Sequence, residues 1–431
     1  MITEIVPESP TARQLTLRLL DQLFGSKLPQ GVGVRLWDKS YWPHEGQFDL
    51  TLVLNHPGAL RAMLLPGTEV ALAEAYLYND FDLEGNLEEI FELDDTLRQV
   101  TLGWHRKLYH LNELRHLPDL KNERIGGRPP ARLKGQPHSL ERDREAVTYH
   151  YNVSTDFYRL WLDRQMVYSC AYYHNDREDL DTAQTNKLDY ICRKLRLRPG
   201  QKLLDLGCGW GSLALYAASH FGVDVTGITL SQPQADYANA QIALAGLSER
   251  ARVQVKDYRE LPEPESYDAL VSVGMVEHVG HKMLPTYFKQ AYRLLRSGGV
   301  FLNHGIATGL AQPEISGPGL IENYVFPDGE LVPISTILHE AEQAGLEARD
   351  LESLREHYLL TLRQWVQRLE ASHAEVLKIV DEPTYRIWRL YMAAAAYGFK
   401  TNQLSVYQTL LIKPGAAGQS YLPFTRQDWY I

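Results

Sequence analysis

Apolar positions along this chain keep two different spacings, and the change from one to the other divides it. Near the start, Leu15, Leu19, Leu20, Leu23 and Phe24 recur at helical intervals with Arg and Asp between them. This spacing predicts a helix docked through one apolar face, in preference to a helix lying on a membrane. Phe48–Leu54 (FDLTLVL) alternates and predicts a strand. Asn55–Leu65 predicts a helix, with Asn55 as its cap and Pro57 in its first turn. Residues 67–90 set aromatics beside acids and show no catalytic constellation.

Further on the rhythm changes. Lys202–Leu206, Val223–Ile228, Val253–Lys256, Ala269–Val273 and Val300–Asn303 are short apolar runs, mostly separated by helical patterns. That alternation predicts a parallel α/β sheet. The segment from about 354 to 400 interrupts it, being helical and rich in aromatics (Trp365, Trp388, Tyr391, Tyr397, Phe399). It is expected as a helical insertion covering the ligand edge of the sheet. Ser405–Ile412 predicts a last strand. Residues 117–143 hold prolines, glycines and many charges with little periodicity, which predicts a linker. The expected organisation is a smaller α+β part at 1–116, a linker at 117–143 and an α/β part at 144–431.

Composition narrows the function. A chain of 431 residues with 44% hydrophobic and 23% charged residues is globular. Its formal charge of −10 argues against nucleic-acid binding, and any membrane contact needs a local basic or apolar patch. No apolar run reaches the ~20 residues of a spanning helix. The opening MITEIVPESP lacks the order of a signal peptide. Cys170, Cys192 and Cys208 show no pairing pattern and are expected as free thiols in a reducing cytosol. No Cys/His spacing suggests a metal.

Candidate chemistry begins at KLLDLGCGWG (202–211), an apolar strand running into Gly207, Gly209 and Gly211 ahead of a helical run. Glycines there let the backbone turn sharply and approach a ligand. A dinucleotide site would carry an acid at the end of the next strand, about 20 residues on. Here that strand ends in Thr226, Gly227, Ile228 and Thr229, which weakens a nicotinamide reading. The form DxGCGxG is instead the usual first motif of S-adenosylmethionine methyltransferases.

A series of blocks in order resembles the cyclopropane-fatty-acyl-phospholipid synthase family. They are HYNVSTDFYRLWLD (150–163), YSCAYY (168–173), LLDLGCGWG (203–211), GITLSQPQ (227–234), KDYREL (256–261), SVGMVEHVG (272–280), LNHGI (302–306) and FKTNQLSVYQ (399–408). The first part is similar, more loosely, to the smaller lipid-binding domain of long bacterial members. One departure is Asn152, where the family usually has Asp.

The resemblance implies a Rossmann-like methyltransferase sheet and transfer of a methylene unit from S-adenosylmethionine to the cis double bond of a phospholipid acyl chain, closing a cyclopropane ring. An isolated double bond is a poor nucleophile. It needs an aligned donor, a dry slot, and a base near the new methyl group. For the donor the resemblance points to Tyr168, Ser169, Gly207, Gly209, Thr229, Ser231 and Gln234, with Asp257 and Tyr258 at the adenine. Without it, TLSQ reads as a helix cap. In the family the base is a bound bicarbonate, and its pocket carries over onto Cys170, Glu277, His304, Ile306 through its backbone, and Tyr358. Taken singly, these read as a small core residue, a helix-start acid, a core histidine and part of an amphipathic helix. Glu277 is expected to orient His304, and His304 with Tyr358 to donate to the anion. The aromatic-rich insertion suits the acyl slot and the cation formed on methyl transfer, though most of its rings read as ordinary core. The resemblance further implies a homodimer at the inner face of a bilayer.

Three other readings compete. A related enzyme could leave a methyl- or methylene-branched chain, which Asn152 keeps open. A methyltransferase for a small amine or oxygen would not need the cysteine or the Glu277, His304 and Tyr358 set. A non-catalytic lipid carrier would not need the complete donor loop.

Overall fold

A computed structural model describes residues 11–25, 28–98, 112–151, 153–262, 264–309 and 319–430. Asn152 lies outside the described residues. Contacts divide the chain into one unit of Met1–Pro129 with Asp381–Ala394 and another of Pro130–Val380 with Ala395–Ile431. The boundary at Pro129 falls inside the stretch expected as a linker, so residues 117–129 go with the first unit and 130–143 with the second.

The first unit is α+β. Its sheet has the order β2-β1-β3-β4, from β1 (Val32–Arg35), β2 (Tyr41–Trp42), β3 (Leu50–Leu54) and β4 (Phe81–Gly85). The helix Ala12–Leu23 buries Leu15, Leu19 and Leu20, the face its spacing indicates. Two local expectations change. All five residues of β3 are buried, so this strand does not alternate. The following helix is Ala59–Leu64, capped at Gly58. Asn55 is not its cap, because its amide donates to Asn79 O at 2.9 Å. Residues 381–394 add a distant piece of chain to this unit. There Arg386 donates to Tyr76 O and to Asp82, each at 3.0 Å.

The second unit holds a seven-stranded sheet in the order β10-β11-β9-β8-β5-β6-β7. Its strands are β5 (Lys202–Leu206), β6 (Asp224–Thr229), β7 (Ala251–Val255), β8 (Tyr267–Val273), β9 (Leu295–Thr308), β10 (Glu347–Ser353) and β11 (Leu404–Ile412). β5 through β9 are parallel, while β11 and β10 join antiparallel at one edge. Successive residues enter opposite cores. Leu203, Val271, Leu302 and Leu410 pack on one face; Leu204, Leu270, Phe301 and Leu411 pack on the other. Both faces are covered, which is why these strands read as continuous apolar runs. β10 escapes the sequence pattern because EARDLES is polar and lies at the edge. The chain leaves β5 toward β6 and β7, then returns to β8 on the other side. The carboxyl ends of β5 and β8 therefore flank the switch point where such sheets bind ligands.

The aromatic-rich segment is divided between the units. Trp388 and Tyr391 belong to the first. Trp365 and Phe399 stay with the second unit, and both are buried.

Candidate active site

A cavity opens at the carboxyl ends of β5, β6, β7 and β8. Its lining includes Gly207, Gly209, Thr229, Gln234, Asp257, Tyr258, Met275 and His278. Gly207 and Gly209 have φ of 75° and 53°. A Cβ on Gly207 would stand 3.2 Å from Met275 Cβ, so the loop is shaped for glycine by conformation and by space. Thr229 Oγ1 donates to Gln234 Oε1 at 2.8 Å, which leaves the buried Gln234 Nε2 without a hydrogen-bond partner. An unsatisfied donor on a cavity wall is the group a polar ligand would use.

Six of the nine expected donor-site residues line this cavity: Gly207, Gly209, Thr229, Gln234, Asp257 and Tyr258. The other three do not. Ser231 caps the helix Gln232–Leu244, its Oγ accepting from Gln234 N. Tyr168 sits in an aromatic cluster, with ring centroids 5.2 Å from Trp365 and 5.5 Å from both Tyr158 and Trp161. Ser169 Oγ accepts from Lys187 Nζ at 2.9 Å.

Asp257 is already engaged by Arg259, whose Nε and Nη2 donate to its two carboxylate oxygens at 2.7 Å. Arg259 also reaches Asp143 at 2.7 Å and lines the cavity. His278 lines it too, and burial pushes its imidazole down to about 4, so it is neutral. The sequence carried a signal for both, since Arg259 lies in KDYREL and His278 follows Glu277.

Of the residues expected to hold an anion, His304 and Ile306 lie on β9 and Glu277 bonds to that strand. Glu277 Oε1 accepts from Ile306 N at 2.7 Å, and its Oε2 is buried without a hydrogen-bond partner. Burial raises its carboxyl to about 7. Glu277 therefore engages Ile306, where it was expected to orient His304. Ile306, expected to meet the anion through its backbone, has its N–H taken up in the same bond. The partner of His304 is Gln408, whose Nε2 lies 3.2 Å from His304 Nδ1, because the antiparallel register sets Gln408 opposite His304. His304 Nε2 is buried with no hydrogen-bond partner. Burial pushes the His304 imidazole well below its usual range.

Cys170 is fully buried, and burial pushes its thiol far up. Its Sγ lies 3.3 Å from Ala171 O and 3.7 Å from Leu354 O, so the thiol is spent on backbone carbonyls. Ala171 N donates to Thr361 Oγ1 at 3.1 Å, which joins the YSCAYY segment to the helix Arg355–Ala371 carrying Tyr358. Tyr358 packs 4.7 Å from Phe399 and 5.9 Å from Trp365.

Beneath the segment lies a buried lysine that its spacing did not reveal. Lys187 is 2% exposed and its neighbours include Asp163 and Asp205, both raised by burial, to about 6 and about 7. The same burial lowers Lys187 to about 8. Gln184, one turn earlier, donates to Ser169 O at 2.8 Å. Among the described residues, no cluster of His, Cys, Asp or Glu could hold a metal ion, and no helix is long and apolar enough to cross a membrane.

Comparison with known proteins places this architecture. The family described as mycolic acid cyclopropane synthetase matches residues 138–409. A probable fatty acid methyltransferase of Pseudomonas putida is 38% identical over 92% of this chain and 95% of its own length. The cyclopropane-fatty-acyl-phospholipid synthase of Escherichia coli is 36% identical over 61% of this chain and 66% of its own. The crystal structure of mycolic acid cyclopropane synthase CmaA1 complexed with SAH and CTAB superposes with a TM-score of 0.59 at 32% identity, covering 63% of this chain and 98% of that one. The chain belongs to the mycolic acid cyclopropane synthetase family and is an S-adenosylmethionine-dependent enzyme of the cyclopropane synthase type.

Proposed function

We propose that this enzyme alkylates the cis double bond of an unsaturated acyl chain in a phospholipid and closes a cyclopropane ring. The observation that carries this reading is the pair of buried, unsatisfied atoms beside β9, His304 Nε2 and Glu277 Oε2. A methyltransferase for amines needs no such pair, because its acceptor carries its own lone pair. An alkene attacking a methyl group leaves a cation that must lose a proton, and two buried polar atoms without hydrogen-bond partners fit an anion that takes it.

The residues divide the work. Gly207 and Gly209 let the backbone approach the donor, Gln234 offers its Nε2, and Thr229 fixes that amide. Tyr168 and Ser169, held by Trp365 and Lys187, act by shaping the wall and not by lining the cavity. Tyr358, Trp365 and Phe399 supply aromatic faces next to the acyl chain, where they stabilise positive charge. Bound bicarbonate would supply the base for the methyl proton. His304 would donate to it from Nε2, and Glu277 in its protonated form from Oε2. The carboxyl raised to about 7 makes that form accessible near neutral pH. The substrate lies in a bilayer, so the protein works on the membrane surface from the cytoplasmic side, with a second copy as its partner.

A second reading keeps the same alkylation but ends in a methyl- or methylene-branched chain. The relative named as a probable fatty acid methyltransferase favours keeping it. Label transfer tests the class. Purified protein with methyl-labelled S-adenosylmethionine is offered unsaturated phospholipid vesicles, saturated vesicles, or a panel of small amines. Label in the unsaturated lipid alone is expected. Label in the amines would replace the reading.

A further inference from the structure

His304 is held by a buried polar chain that fixes where its proton resides. Lys194 is fully buried on the helix Leu180–Lys194. Its ammonium donates to Gln408 Oε1 at 2.9 Å and pairs with Glu352, while Asp350 stands 3.8 Å away. These two carboxylates on β10 oppose the lowering that burial imposes on Lys194, and an ion pair with them takes the lysine as its ammonium. An ammonium has three donors and no acceptor. The atom of Gln408 that faces it must therefore be the carbonyl oxygen, and the amide nitrogen must face the other way. That nitrogen lies 3.2 Å from His304 Nδ1 and can only donate. Nδ1 is then the acceptor, and the proton of the neutral ring sits on Nε2. Nε2 is the atom without a hydrogen-bond partner.

We infer that Lys194 and Gln408 are positioning residues that lock His304 as the Nε2–H tautomer, so that it serves as a fixed hydrogen-bond donor and not as the proton acceptor. The inference rests on the proposed anion site beside β9 for its role in turnover, but the tautomer itself can be read without turnover. The geometry also accounts for two features that the alkylation reading leaves unused. One is a lysine 0% exposed inside the larger unit. The other is a polar edge strand, β10, that places acids where that lysine needs them. Gln408 lies in FKTNQLSVYQ as the last residue of that block, and Lys194 falls seven positions after Lys187 on the same buried helix face.

The test is nitrogen NMR of histidine-labelled protein, with the His304 signals assigned by their absence from His304→Gln. In the wild type near neutral pH we expect a proton on Nε2 and none on Nδ1. Gln408→Glu presents a carboxylate oxygen to Nδ1 and should move the proton to Nδ1. Label transfer to lipid should then fall about 100-fold, the scale of a misplaced catalytic group, with donor affinity by calorimetry unchanged. A wild-type ring protonated on Nδ1, or on both nitrogens, overturns the inference whether or not any variant folds. So does Gln408→Glu with the tautomer unmoved. A wild type that shows the expected tautomer but transfers no label to lipid leaves the lock standing and removes the alkylation reading instead.

Discussion

Glu277 Oε1 accepts the backbone N–H of Ile306 at 2.7 Å, which pins the short helix Val276–Val279 after β8 to the carboxyl end of β9. This carboxyl is buried and raised from 4.5 to about 7. Between those values the folded protein holds a proton that the unfolded chain has released. The stability this group contributes is thus full below pH 4.5 and is lost as pH rises through about 7. Glu277→Gln removes that loss. Its stability relative to wild type should improve from about pH 5 to about pH 8, by up to about 3 kcal/mol. Urea unfolding at the two pH values measures it. A difference that does not change with pH would mean that Glu277 is not held as described.

Glu277→Ala, which removes the donor to the anion, should reduce turnover by about 100-fold while donor affinity is retained, since Glu277 serves the proton and not the methyl donor. Added bicarbonate should restore part of the activity in a weakened variant, because mass action refills a loosened site. Full wild-type turnover in both Glu277→Ala and His304→Ala would send the proton by another route.

Gly207→Val tests the donor loop. A β-branched residue at φ of 75°, crowding Met275, should abolish binding of S-adenosylmethionine in calorimetry while circular dichroism stays native. Unchanged affinity would move the donor away from this loop.

Lys187→Met removes the donor to Ser169 Oγ and a cation beside the buried Asp205. Breaking a buried pair leaves an uncompensated charge, so a loss of about 3 kcal/mol is expected. Chemical denaturation would show it. A loss below about 0.5 kcal/mol would place Lys187 among solvated surface lysines.

Arg132 and Lys134 are exposed basic residues in a protein of net charge −10. Association with anionic unsaturated vesicles should weaken at high salt, where the Debye length shortens to about 3 Å at 1 M, and in the Arg132→Glu, Lys134→Glu variant. Failure to float with such vesicles even at low salt would argue against a bilayer substrate.

Much of this was legible in the sequence because it is local. The strand-loop-helix around Gly207 and the polar groups after β6 stand a few residues apart. The cavity gathers them as strand order and loop chemistry require. The site beside β9 was legible only through its resemblance to a family, since Cys170, Glu277, His304 and Tyr358 lie far apart in the sequence and on different elements. Their mutual roles were not legible at all. Whether Glu277 meets His304 or Ile306 depends on how the loop after β8 meets β9. The partnership of Gln408 with His304 depends on the register of an antiparallel strand placed at the end of the chain. The two buried lysines were missed for a related reason. A lysine in an amphipathic helix reads as solvated unless the acids that pay for its burial, here Asp350 and Glu352 for Lys194 and Asp163 and Asp205 for Lys187, are known to face it.

In the proposed reaction a methyl group reaches an alkene carbon and then gives up one proton. S-adenosylmethionine carrying a fully deuterated methyl group, supplied with unsaturated phospholipid vesicles, reads both events in one product. The account predicts fatty esters that gain one carbon and retain two of the three deuterons, with proton NMR showing a cyclopropane ring. Esters that carry the methyl group with all three deuterons, or vesicles that gain no label, would contradict it.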